Sequence, residues 1–262
     1  MNRLRVVVML VAALVNCGRA SGRDETGAGR SPEDRQGVTR KPQDRLAALY
    51  VGTSSDAIAW LLTVDTASAS GTLFDPLGPI PLCGLRVDSE ARKSFTSPEL
   101  SDGTIYRFVG RMSTTEIEGV LEHVAARSGR VRKSSTLALR RVRLRGQSGT
   151  ASRLPSGVYG NVMYHQQTGD LLGNELVLID GEDGTVVLTI EYGGAPDWPR
   201  MAQRAKLRGD SLAVWTKYPV RGDTADAGLV KGDTIQFGPD FKMVRKATLE
   251  EFLTQPSRYR CP

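Results

Sequence analysis

The residues able to do chemistry are few and scattered. The only histidines are His123 and His165. Two isolated histidines fall short of a clustered metal site, and no cysteine stands at ligand spacing from either. His123 alternates with Ile117, Gly119 and Leu121, so it reads as a core histidine on an apolar strand face. His165 follows Tyr164 before the turn Gln166-Gln167-Thr168-Gly169 and reads as a strand end. If it served a dispersed hydrolytic site, it would need a carboxylate and a hydroxyl from nearby loops. No Gly-x-Ser-x-Gly, Gly-x-Gly-x-x-Gly or His-Glu-x-x-His run occurs, and no phosphate loop. The sequence therefore points to no catalytic residue, metal or cofactor.

Three further groups of residues carry binding chemistry. Arg130, Arg132, Lys133, Arg140, Arg141 and Arg143 lie in a stretch free of acidic residues, flanked by Arg127, Arg145 and Arg153. Such a strand can follow an anionic surface. A solvated strand face with Glu116, Glu118 and Glu122 as cross-strand partners explains the same charges. Tyr159, Tyr164, His165 and Trp215 could line a pocket for an apolar ligand, or fill a core. Arg208-Gly209-Asp210 and Arg221-Gly222-Asp223 spell an adhesion tripeptide, but Gly-Asp suits tight turns in any case. Asp180-Gly181-Glu182-Asp183-Gly184 lacks the alternate oxygen ligands of a calcium loop and reads as a hairpin turn.

The N-terminus assigns a compartment. Arg3 and Arg5 precede an apolar run from Val6 to Val15. As a helix this run spans about 15 Å, roughly half a bilayer core, so it suits a secretory leader and not a permanent span. Gly18-Arg19-Ala20 offers cleavage after Ala20, giving a signal peptide over 1–20. Leu14-Val15-Asn16-Cys17 resembles the lipobox of bacterial lipoproteins, with Asn16 where that pattern has Gly, Ala or Ser. The resemblance implies acylation of Cys17. Residues 21–45 hold almost no large apolar side chain and read as a disordered tether. The chain is expected in the periplasm, on a membrane through Cys17, or outside the cell. No nucleic acid is expected there. With Cys17 lipidated or removed, Cys83 and Cys261 remain to pair in an oxidising compartment.

The elements that must position these residues are strands. Period-two alternation dominates from Ala47 onward, as in Val186, Leu188, Ile190 and Tyr192. Gly209-Asp210 and Gly232-Asp233 separate paired runs as hairpin turns. Leu137 and Leu139 share one parity, Val142 and Leu144 the other, which suggests a bulge at Arg140-Arg141. One helix is expected near Lys246–Leu253, with Thr248 and Glu251 as a capping box. The expected fold is mainly β: an antiparallel sandwich or small barrels, with a short C-terminal helix. Two β units are expected, 46–145 and 157–262. Tyr50 and Tyr159 near their starts, and Asp-Gly-Thr strand openings in both, raise an internal duplication. The general shape is similar to lipocalin-like barrels, without that family's signature residues. The expectation for function is a non-enzymatic binding or cell-envelope protein, the alternative a hydrolase built around His165.

Overall fold

The computed structural model describes residues 48–65, 68–75, 78–87, 92–145, 156–202, 204–218 and 222–262. The leader, the tether and Cys17 lie outside the described residues. So do residues 146–155, Arg153 among them, and Arg221.

The first half forms one antiparallel sheet. Its strands are β1 (Ala48–Ser54), β2 (Ala59–Asp65), β3 (Ser70–Asp75), β4 (Gly78–Pro81), β5 (Cys83–Val87), β6 (Arg92–Thr96), β7 (Thr104–Met112), β8 (Glu116–Ala125) and β9 (Val131–Val142). The second sheet holds β10 (Gly157–Gly160), β11 (Met163–His165), β12 (Asp170–Gly181), β13 (Gly184–Gly194), β14 (Arg200–Met201), β15 (Arg204–Arg208), β16 (Ser211–Tyr218), β17 (Gly222–Lys231), β18 (Thr234–Phe237) and β19 (Phe241–Thr248). One helix, α1 (Leu249–Leu253), follows among the described residues. Both sheets curl into near-barrels.

The two sheets share one strand order. The first runs β4-β3-β2-β1-β9-β8-β7-β6-β5, the second β14-β13-β12-β10-β19-β18-β17-β16-β15, with β11 added beside β12. In each, the opening strand pairs with the closing strand, and the seam falls between the two ends of the path, β4 and β5 in the first sheet and β14 and β15 in the second. Tyr50 faces Leu62 on one side and Arg141 on the other; Tyr159 faces Leu176 and Arg245. The two tyrosines thus hold equivalent places, both buried in their own barrel.

Inward residues fill each interior. Trp60, Phe95, Phe108, Ile117, Leu121 and Leu139 pack in the first barrel. Tyr159, Leu176, Leu178, Leu212 and Ile235 pack in the second. Phe95 and Phe108 stack at 4.9 Å between centroids. Gly110 and Gly119 face each other across β7 and β8, and the Phe108 ring covers the space their missing side chains leave.

A third cluster joins the barrels. Leu49, Val51, Leu61 and Phe74 of the first meet Val158, Val177, Ile179 and Leu188 of the second. β1, β2 and β12 are therefore buried on both faces. This explains the parity change on the basic strand without a bulge. β9 keeps continuous register with β1 through Arg140 and Arg141. Leu137 and Leu139 face the first barrel's core, and Val142 and Leu144 face the inter-barrel cluster. The register shift on this strand instead lies beside His123 and Val124.

The C-terminal segment returns to the first barrel. β19 stays paired to β10 through Thr248, so the helix begins at Leu249, three residues after Lys246. Thr248 accepts a hydrogen bond from the Glu251 amide and Glu251 accepts one from the Thr248 amide, closing the capping box. Phe252 then meets Phe74, Ser257 donates to the Pro79 carbonyl at 2.6 Å, and Cys261 is disulfide-bonded to Cys83. Ser257 and Cys261 thus hold the two strands that flank the first barrel's seam.

Candidate functional site

The four residues read as a ligand pocket do not meet. Tyr159 is fully buried in the second barrel, and burial pushes its phenol up to about 12. Tyr164 and His165 sit on the exposed β11–β12 hairpin. The His165 Nδ1 lies 3.1 Å from the Thr168 hydroxyl. Among the described residues no carboxylate stands within hydrogen-bond distance of it. Trp215 is half-buried on the outer face of β16, opposite in sense to the buried Val214.

The basic segment divides between faces and partners. Lys133 is ion-paired with Asp56. Arg132 donates to the Thr104 hydroxyl at 3.2 Å, and Arg141 to the Thr114 carbonyl at 3.3 Å. Arg140 stands opposite Glu116, and Arg145 bonds Asp180 and the Gly181 carbonyl. Arg130 and Arg143 are exposed. Lys133 and Arg141 share the inward parity of Leu137 and Leu139, while Arg140 points the other way. The segment therefore presents no single cationic plane.

One end of the first barrel gathers Asp56, His123, Lys133 and Trp198. Trp198 comes from the loop after β13 and lies 5.6 Å from Trp60 and 6.2 Å from His123, centroid to centroid. Tyr106 meets the His123 ring edge at 4.8 Å. Burial holds the His123 pKa below its ordinary value, and the Lys133 cation adds to this. Ser54 accepts from the Trp60 indole at 3.0 Å and donates to the Ile58 carbonyl at 3.2 Å. Ser54 and Asp56 at this end are thus committed to other partners, Ser54 to Trp60 and Ile58 and Asp56 to Lys133.

Among the described residues one open concavity lies on the outside of the second barrel. Arg204, Lys206 and Arg208 on β15 and Ser211, Ala213 and Trp215 on β16 line an open groove of about 350 Å³. Strand pairing sets Arg204 beside Trp215, Lys206 beside Ala213 and Arg208 beside Ser211. Ala205 and Leu207 point inward against the core, which turns the three cations outward. The Arg204 guanidinium lies over the indole, 5.2 Å from the ring centroid. The ordinary sequence signal for this face is Arg-x-Lys-x-Arg at period two before a two-residue turn. Only Trp215 and the turn itself attract notice without knowledge of the pairing. A small cleft between the barrels, bounded by Leu61, Phe74, Val177, Leu188 and Phe252, holds only about 20 Å³, close to the room of one water.

Among the described residues no group of three His, Cys, Asp or Glu side chains is placed to hold a metal ion. No described helix is long and apolar enough to cross a membrane. Comparison with protein-family models, curated proteins and solved structures finds no match.

Proposed function

We propose that this chain is an exported, non-enzymatic binding protein of a bacterial-type cell envelope, and that it holds its ligand on the outside of its barrels. The observation that carries the reading is a contrast. Both barrel interiors are filled by large side chains, Trp60 and Phe108 in one, Tyr159 and Leu212 in the other. An open groove of about 350 Å³ among the described residues, by contrast, lies on an outer face lined with cations. Binding at such a face needs no proton relay. Among the described residues the His165 ring meets the Thr168 hydroxyl and no carboxylate within hydrogen-bond distance.

Export is supported by the leader-like N-terminus and by the Cys83–Cys261 disulfide, since such bonds persist in oxidising compartments. Anchoring through Cys17 rests on the lipobox resemblance alone.

The binding reading is tested by turnover. A panel of chromogenic esters, amides, glycosides and phosphates should show no hydrolysis above buffer. Turnover abolished by His165→Ala would overturn the reading. Fractionation tests the compartment. Wild type should be exported, oxidised and acyl-labelled, and Cys17→Ser should lose the label and leave the membrane. A cytoplasmic, reduced chain with its leader intact would contradict export.

A further inference from the structure

We infer that the groove between β15 and β16 binds an acidic saccharide, a sugar chain carrying carboxylate or phosphate groups. This rests on the reading that ligand is held on the barrel exterior.

Three features of the groove fix the chemistry. The first is uncompensated charge at a regular interval. Arg204, Lys206 and Arg208 are exposed, and alternation on a strand spaces them about 6.6 Å apart. Elsewhere in the same sheet Arg200 and Arg245 each pair with an aspartate, Asp197 and Asp233. Among the described residues no carboxylate is ion-paired with Arg204, Lys206 or Arg208. A row of free cations fits a ligand whose anions recur along a chain.

The second feature is the floor. Ser211 and Ala213 are small, and β17 continues the same two rungs with Leu229 and Ala227. A volume of about 350 Å³ lies within the usual range of small-ligand sites. It suits a sugar unit lying across the strands, with the Ser211 hydroxyl and the cations as hydrogen-bond donors.

The third feature is the end wall. Trp215 offers an apolar ring beside the cations, which complements the C–H faces of a sugar. Single-stranded nucleic acid stacks successive bases on several aromatic side chains. Among the described residues Trp215 is the one aromatic residue lining this groove, and the Arg204 guanidinium packs on it. An anionic lipid surface would be drawn to exposed lysines and arginines anywhere, with no use for a floor or an end wall.

The test uses the oxidised full chain and fluorescence anisotropy. The probes are a labelled oligogalacturonate, a labelled phosphomannan fragment, a neutral maltodextrin of equal length, an oligothymidylate, and vesicles containing phosphatidylglycerol. The first two separate carboxylate from phosphate as the recognised anion. At least one should bind in a salt-dependent manner while maltodextrin does not. Lys206→Gln with Arg208→Gln should weaken that binding by about tenfold or more. Trp215→Ala should weaken it with the salt dependence retained. Unchanged circular dichroism and melting would show that the exposed substitutions leave the fold intact. Tighter binding of oligothymidylate or vesicles, equal binding of maltodextrin, or full binding by the double variant would each overturn the inference. Failure of every saccharide, with export and lack of turnover intact, removes this ligand class only. Turnover in the substrate panel would remove the broader reading instead.

Discussion

Phe252 on the C-terminal helix lies 5.0 Å from Phe74 on β3, ring to ring, and nine residues later Cys261 is bonded to Cys83. One segment therefore leaves the second barrel and is fastened to the first at Phe252, Ser257 and Cys261. Its end lies over the seam, where the pairing of strands is interrupted between β4 and β5. The fold is two meanders, each joined first strand to last, with the chain's tail closing what the meander leaves open in the first.

That arrangement makes the disulfide a large contributor to stability. The bond spans 178 residues of chain, and a loop of that length restricts the unfolded state strongly. Replacing both cysteines by serine should cost about 2–5 kcal/mol. Chemical denaturation of the variant, compared with reduced wild type, checks this. The two should unfold together, well below the oxidised protein.

The facing glycines on β7 and β8 have no room for a side chain. A Cβ on Gly119 would stand 2.5 Å from the Val109 carbonyl and 2.8 Å from the Phe108 ring. Gly119→Ala should destabilise by about 1–3 kcal/mol through overpacking. Phe108→Leu combined with Gly119→Ala should behave non-additively, because the two positions share one space. Equilibrium unfolding of the single and double variants reads this directly.

His123 gives the fold a pH dependence. Its folded pKa lies below the ordinary value of 6.5, chiefly because burial disfavours the cation. Below 6.5 the unfolded chain takes up a proton that the folded chain resists. The neutral form's advantage is thus fully present above that value and is lost as pH falls from it through the folded pKa. Melting temperature should decline across this window in wild type and decline less in His123→Phe. An identical pH profile in both would contradict the assignment.

Much of this was legible from residue order. Alternation found Ile117, Leu121 and His123 on one face of β8, and the structure places these residues on the first barrel's inner side. Thr248 and Glu251 announced the cap because both partners lie within one turn. Other elements were hidden for physical reasons. β4 carries Pro79 and Pro81, which lack amide donors and break the usual strand signal; it is an edge strand, where such gaps are tolerated. β17 runs through Gly222–Gly228 with no apolar rhythm to betray it. Double-sided burial disguised β9 as a bulged strand. The groove stayed hidden because Trp215 lies beside Arg204 only through the β15–β16 register, and Tyr159 looked like its companion while facing the opposite side of the sheet.

The most direct test of an exterior site is a hydrogen–deuterium exchange footprint of the full chain, with and without saturating acidic oligosaccharide. Peptides covering 204–215 should gain protection, with the β8 and β11–β12 peptides unchanged. Protection centred on His165, or on the first barrel's mouth at His123, with 204–215 unaltered, would contradict the account.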